Sequence, residues 1–243
     1  MSDIKEFKGN ERNQYHGMSE YYDEAMMAGY YDYKSTAESL ADLIKDGAKV
    51  LEIGVGTGLF LDHLCKLRPN CTYYGVDHTD AMINKALENV NTNKYQIHLL
   101  KRDVIKMEFE RKFDVIFSHG GVWVFLEEVL LSHIFDDDKN RQGLKNIRHH
   151  LKNDGKFVIN IQPNHSNSDT PMDNGVVFKQ RVQEEENFSY KDYWFEKDGK
   201  KLSEQRCTYR LWRNEQIDKV LRECGFKKTE VTSDGKFRIL TPL

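Results

Sequence analysis

The feature that most constrains the fold is a short apolar run, Lys49 to Ile53 (KVLEI), that feeds directly into Gly54-Val-Gly-Thr-Gly58. A brief run of this kind bounded by turn residues reads as a buried strand. The glycines after it permit a sharp turn and let backbone amides approach a ligand closely. Leu59 to Leu67 then carries helical apolar spacing. The alternation continues downstream. Thr72 to Val76 reads as a second strand ending at Asp77, and Asp80 to Val90 as a helix with Met82, Ala86, Leu87 and Val90 on one face. Ile97 to Leu100 and Phe113 to Phe117 give a third and a fourth strand. A helix marked by Leu144, Ile147 and Leu151 stops at Asn153-Asp-Gly155, and Lys156 to Ile161 is the fifth strand. Strands alternating with helices imply an α/β fold with a doubly wound, mostly parallel sheet. Upstream, Ser35-Thr-Ala-Glu38 has the form of a capping box for a helix bearing Leu40, Leu43 and Ile44.

Beyond residue 175 the pattern changes. Val176 to Val182, Phe188 to Phe195 and Glu204 to Trp212 read as long strands, with Asp198-Gly199 as a hairpin turn. The α/β pattern returns with Ile217, Val220, Leu221 and Cys224 on one helix face and Gly225 at its end. Phe226 to Val231 and Phe237 to Leu240 close the sheet as an antiparallel hairpin. The expected organisation is an N-terminal helical lid segment over residues 1–34 and one domain over 35–243. An antiparallel β insertion after the fifth strand, 176–212, interrupts that domain.

Charge narrows the partners. Lys and Arg total 36 against 39 Asp and Glu, a net charge of −3. Nucleic-acid and membrane-surface binders ordinarily carry a basic excess, so neither partner is expected. The longest apolar stretch, around Val122 to Phe125, is far short of the roughly 20 residues that span a bilayer. The first residues are polar, without the apolar core of a signal peptide. Cys65, Cys71, Cys207 and Cys224 lack CxxC spacing, so a reduced, cytoplasmic chain without a disulfide framework is expected. The histidines form neither HxxxH nor HExxH, and no metal centre is expected.

The glycine loop is the clearest binding signal. A dinucleotide fingerprint would need glycine where Leu59 stands, and a P-loop would need GK[ST]. The GxGxG spacing suits a nucleoside without a pyrophosphate. Asp77, at the end of the second strand, is an acceptor-only group able to take both hydroxyls of a ribose, or else an N-cap of the next helix. Asp103 stands equivalently after the third strand, where it either accepts an adenine amino hydrogen or belongs to a surface turn.

Taken together, Val50-Leu-Glu-Ile-Gly-Val-Gly-Thr-Gly58, Tyr74-Gly-Val-Asp77, Arg102-Asp103-Val104 and Phe113-Asp-Val-Ile-Phe-Ser118 resemble the successive motifs of class I S-adenosylmethionine-dependent methyltransferases. The resemblance implies a Rossmann-like sheet with S-adenosylmethionine as cofactor. It places Glu52, Gly54, Gly56 and Gly58 against the methionine and ribose, and Asp77 on the ribose with His78 beside it. Met82 then packs near the adenine, Asp103 and Val104 read its edge, and Ser118 and His119 lie along the methionine arm. Glu52 alternatively only caps the loop.

The flanks are similar to glycine N-methyltransferase-like enzymes and nucleotide-sugar N,N-dimethyltransferases, through Glu20-Tyr-Tyr22-Asp23, Asp32-Tyr33 and Tyr209-Arg-Leu-Trp-Arg-Asn-Glu-Gln-Ile217. By that similarity Tyr22 lies near the reacting methyl and Tyr33 near the cofactor carboxylate. The insertion, with Tyr209 and Arg210, covers a small-molecule acceptor or offers a homodimer surface. One departure stands out: the sugar enzymes place a histidine where this chain has Val122, and His119 comes three residues earlier. Gly120 and Gly121 open space there, while Trp123 and Phe125 suggest a flat apolar wall for the acceptor. His119 is the expected catalytic base, or else a group that only bonds the loop. Arg206 and Arg210 either pair with an acidic group of the acceptor or are solvated strand charges. His149-His150 and Asp136-Asp-Asp138 read as solvent-facing.

The resulting expectation is methyl transfer from S-adenosylmethionine to a nitrogen of a small molecule. The alternatives are a small-molecule O-methyltransferase and a non-catalytic cofactor-binding partner subunit. A nicotinamide dehydrogenase is disfavoured by Leu59, and a protein or nucleic-acid methyltransferase by Ser118-His-Gly-Gly121 in place of an Asn-Pro-Pro-Tyr motif.

Overall fold

A computed structural model of the chain describes residue 18 and residues 21–243. Residues 1–17, 19 and 20, including Glu20 and most of the proposed lid segment, lie outside the described residues. In chain order the elements are α1 (Tyr22–Ala25), a π-helical turn (Met26–Tyr30), α2 (Tyr33–Ala41), β1 (Lys49–Ile53), α3 (Leu59–Leu67), β2 (Thr72–Asp77), α4 (Asp80–Asn89), β3 (Gln96–Lys101) and β4 (Phe113–Ser118). There follow β5 (Trp123–Leu126), β6 (Val129–Ser132), α5 (Asp137–His150), β7 (Leu151–Gln162), β8 (Ser168–Pro171), β9 (Val177–Glu184), β10 (Phe188–Lys197), β11 (Lys200–Arg213), α6 (Glu215–Glu223), β12 (Phe226–Val231) and β13 (Phe237–Pro242).

The expected α/β sheet is present. Strands β3-β2-β1-β4-β7 run parallel, and β13 joins β7 antiparallel with β12 beyond it. One apolar layer, around Leu51, Ile116 and Leu144, lies on one face of this sheet. A second, around Val50, Leu61 and Phe117, fills the other. Alternation of side chains along β1 explains both, since Val50 and Leu51 point to opposite faces. Of the apolar positions expected on α4, Met82, Ala86 and Val90 are buried, but Leu87 is about half exposed.

Helix α2 begins at Tyr33, so Ser35 and Glu38 do not form the expected capping box. Asp32 is the cap, and its carboxylate accepts the Ser35 N–H at 3.0 Å. A carboxylate at that end also complements the partial positive charge of the first turn.

The antiparallel insertion is joined to the main sheet by the β5–β6 hairpin. β5 pairs parallel with the end of β7 through Phe125↔Ile161 and Leu126↔Gln162. β6 pairs with β11 through Leu131↔Leu211, and β11-β10-β9-β8 continue as a meander. Asp198 and Gly199 both have positive φ, 51° and 74°, the geometry of a tight hairpin turn. The β5–β6 turn instead uses Glu127 at φ 53°, a residue that carries no turn signal in the sequence.

Asn140, fully buried on α5, pins this hairpin. Its Oδ1 accepts from Trp123 Nε1 at 3.1 Å and Ser132 Oγ at 2.6 Å, while Nδ2 donates to the Ile134 and Asp136 carbonyls. Asp136 caps α5 by accepting the Lys139 N–H, and Asp137 pairs with Arg210, so the acidic run is not a free solvated loop. Likewise His150 is buried, accepting the Phe109 N–H, while His149 remains exposed. Replacement Asn140→Leu leaves the Trp123 indole N–H and the Ile134 carbonyl buried without partners. It should cost about 3 kcal/mol in denaturant unfolding, whereas Asp138→Asn on the exposed start of the same helix should change little.

Candidate functional site

The glycine turn after β1 is built by short backbone contacts. The Gly54 and Val55 N–H groups both donate to the Val76 carbonyl, at 2.8 and 2.9 Å. Gly54 has φ 72°, and a Cβ there would stand 2.9 Å from Gly121 Cα. Gly121 in turn would drive a Cβ to 2.4 Å from the Ile53 carbonyl oxygen. Only paired glycines allow the loops after β1 and β4 to touch.

Asp77 closes the turn. Its Oδ2 accepts the Gly56 N–H at 3.2 Å, and its Oδ1 accepts both the N–H and the hydroxyl of Thr79, at 2.9 and 2.8 Å. Thr79 is the residue that precedes α4, so Asp77 is not itself the helix cap. Glu52 is 1% exposed and its Oε2 has no hydrogen-bond partner among the described residues. Burial, reinforced by the negative charge of Asp77, raises its pKa well above the usual carboxylate range.

A cleft runs along these residues. One part, about 480 Å³, is lined by Gly54, Gly56, Asp77, His78, Thr79, Met82, Gly121 and Val122. It continues past Arg102, Asp103, Val104 and Ile134 into a second part of about 430 Å³. Asp103 accepts the Ile105 N–H at 2.9 Å, which fixes its turn.

An inner cavity lies between the N-terminal segment and the insertion. Met18, Met26, Val124, Leu131 and Phe178 give it apolar walls, and Tyr31, Gln162, His165, Lys191, Tyr193 and Tyr209 its polar groups. Tyr22, Gly120 and His133 line both this cavity and the cleft, so the two spaces meet there. Gly120 is held by its N–H donating to Asn160 Oδ1 at 2.9 Å.

The expected site residues divide accordingly. Gly54, Gly56, Asp77, His78, Met82, Asp103 and Val104 line the cleft; Tyr22 stands at the junction and Tyr209 in the inner cavity. Ser118 is fully buried and its Oγ accepts the Trp123 N–H. Tyr33 belongs to an aromatic cluster with Tyr31, His63 and Phe60. His119 joins that cluster, stacked on Phe60 with centroids 3.9 Å apart. Burial lowers its pKa to about 3, which makes it a weak proton acceptor, and it is not among the residues that line the cleft or the inner cavity.

Trp123 and Arg210 do not reach the acceptor space. The Trp123 indole is locked into the core by Asn140 and lies edge-on to Phe157, so it is no acceptor wall. Phe125, the other residue of that expected wall, is fully buried as well. Arg210 makes an ion pair with Asp137 at 2.6 Å and donates to the Asn187 carbonyl. Strand alternation sends it to the opposite side from Tyr209. Arg206 is likewise tied to Asp192.

The sequence reading missed His133, His165 and Lys191. His133 follows β6, and its N–H donates to the carbonyl of Val122 at 2.9 Å. A histidine therefore does stand beside Val122, supplied by the neighbouring strand. Its ring packs edge-on to Tyr209 at 4.7 Å. Among the described residues no group of three or more His, Cys, Asp or Glu is arranged to hold a metal ion.

Burial also lowers His133 and His165 to about 3. Three histidines that stay neutral in the fold take up protons when unfolded below about pH 6.5. The unfolded state then binds more protons, and stability falls with pH. Each contributes about 1.4 kcal/mol per pH unit. The raised Glu52 acts in the opposite sense between its unfolded value and its folded one. Denaturant midpoints should therefore drop steeply from pH 6.5 to pH 5, and a His119→Phe variant should show a shallower slope.

Comparison with known proteins agrees with this geometry. Residues 44–223 match the family described as "Methyltransferase domain". The chain is 22% identical over 208 residues to a carboxy-S-adenosyl-L-methionine synthase of Nautilia profundicola, covering 82% of this chain and 80% of that protein. It is 28% identical over 114 residues to malonyl-[acyl-carrier protein] O-methyltransferase 1 of Ilyobacter polytropus, 44% of this chain and 42% of that one. Its fold matches, at TM-score 0.69 and 16% identity, an S-adenosylmethionine-bound amino pentose methyltransferase from Micromonospora echinaspora involved in calicheamicin biosynthesis, covering 91% and 96% of the two chains. From the glycine turn to the last helix, the chain belongs to the class I S-adenosylmethionine-dependent methyltransferases.

Proposed function

We propose that the chain transfers the methyl group of S-adenosylmethionine to a nitrogen of a small molecule held in the inner cavity. The observation that carries this reading is the junction at Tyr22, Gly120 and His133, where a nucleoside-sized cleft opens onto a separate cavity.

The residues of the cleft fit the cofactor. The partnerless Oε2 of Glu52 is a buried acceptor that a cofactor ammonium would satisfy, with a gain for both charges. Asp77 would hold the ribose hydroxyls while it stays bonded to Gly56 and Thr79. Asp103 and Val104 would bound the adenine, with Met82 packing on it. The bound cofactor supplies an activated methyl on a sulfonium. The protein's part is to aim an acceptor lone pair at that carbon, about 3–3.5 Å away, and to exclude water.

Nitrogen is favoured over oxygen by the junction itself. A neutral amine arrives with its lone pair ready, whereas a hydroxyl must shed a proton during attack. The imidazole at the junction, His133, is desolvated to a pKa of about 3 and would make a feeble base. In its neutral form it can orient an amine by hydrogen bonding. Tyr22 stands beside it on the other side of the opening. Tyr33 and His119 would order the start of α3 and the turn before Gly120, acting through position and not by touching substrate.

Calorimetry with S-adenosylhomocysteine, and NAD as control, tests the cofactor. Asp77→Ala should weaken S-adenosylhomocysteine by about thirtyfold or more, the equivalent of about 2 kcal/mol from lost hydrogen bonds. A labelled-methyl screen of matched amines and hydroxyl compounds, run with a chelator, tests the acceptor atom. His133→Ala should lower kcat for the responding amine by about tenfold or more, through loss of orientation. Transfer to hydroxyl compounds alone would overturn the nitrogen assignment.

A further inference from the structure

Among the described residues, the inner cavity holds a cation without a countercharge. Lys191, on β10, is 1% exposed and lines this cavity. No Asp or Glu is among the residues that line it. Glu184, the acid closest in influence, is engaged with Arg213 at 3.0 Å.

The polar groups around Lys191 are already committed in a way that leaves it in need of an anion. Gln162 Nε2 donates to the Tyr31 hydroxyl at 3.0 Å, so its Oε1 accepts from His165 Nε2 at 2.9 Å. That fixes the neutral tautomer of His165 with a lone pair on Nδ1, which takes one proton of the Lys191 ammonium. The face of Tyr209, 4.7 Å from Nζ, offers a partial negative surface and no proton acceptor in line. An ammonium has three donors, and a buried cation left unpaired is costly.

We propose that the methyl acceptor carries an anionic group of carboxylate size, which seats against Lys191 while its reacting nitrogen lies at the junction. This rests on the function proposed above. Lys191 lines the inner cavity and not the cofactor cleft, so it is placed to anchor the far end of an acceptor and not to take a proton at the reacting atom. The Arg206 and Arg210 guanidiniums, two other cations of the insertion, are taken by Asp192 and Asp137. The acceptor class is thus a small amine that also carries a carboxylate.

The test is calorimetry on protein saturated with S-adenosylhomocysteine, using acids and their neutral amides of the same shape: acetate and acetamide, butyrate and butyramide, benzoate and benzamide. At pH 6.5 at least one acid should bind about tenfold tighter or more than its amide, the effect of one charge-assisted pair. Lys191→Met should abolish the preference and leave S-adenosylhomocysteine affinity unchanged, and Lys191→Arg should keep much of it. Binding should also weaken above about pH 7, where burial allows Lys191 to lose its charge. Of the groups facing it, His133 and His165 are already neutral, Tyr193, Tyr209 and Cys207 stand beside it, and Glu184 stays paired with Arg213. An acid preference absent from every pair, or unchanged in Lys191→Met, overturns the proposal. If S-adenosylhomocysteine itself fails to bind, the cofactor reading falls; the acid–amide comparison on the protein alone then still decides the anchor.

Discussion

The structure depends on one strand that serves two sheets. Along its length β7 pairs parallel with β4 on one side and antiparallel with β13 on the other. At its last residues, Ile161 and Gln162, it also pairs with β5, and through β5 and β6 the whole insertion hangs from the main sheet. Backbone hydrogen bonding leaves little freedom at such a crossing, because a slip of one residue would reverse every side chain on both faces. The wall of the inner cavity is therefore fixed relative to the glycine turn by continuous sheet.

This geometry explains how the residues of the cleft and of the inner cavity come from distant stretches of chain yet meet within one opening. Gly54 and Gly121 let the first and fourth strand ends touch, which brings Gly120 to the junction. The β5–β6 hairpin then returns the chain so that His133 faces the same opening beside Val122. Gln162, at the end of the shared strand, links His165 of the following loop to Tyr31 of the N-terminal segment.

The sequence disclosed the glycine turn and the cleft beside it well and the inner cavity poorly, for a physical reason. In β1, the glycine turn and Asp77, local pattern and tertiary role coincide: the strand is apolar because it is buried, and the glycines are needed where the backbone turns. The acceptor residues lack any such local signature. Along β10, Ser189, Lys191, Tyr193 and Phe195 point inward while Tyr190, Asp192 and Trp194 point outward. Both sets mix aromatic and polar residues, so period-two alternation cannot say which phase is buried. The hairpin that delivers His133 was hidden because Glu127 occupies its tight turn without glycine or asparagine. Trp123 and Arg210 misled for the complementary reason, since their partners, Asn140 and Asp137, arrive from a helix whose packing only the tertiary structure reveals.

The π-helical turn at Met26–Tyr30 has a consequence of a different kind. A π turn holds one residue more than the α-helical turn it replaces, and each helical residue advances the next side chain by about 100°. Tyr31, directly after it, meets Gln162 and stands over Gly120 because of that extra residue. Loss or gain of one residue upstream would swing the tyrosine off the cavity wall while leaving the sheet untouched. A change of one residue in this short turn would therefore reshape the inner cavity without altering any strand pairing.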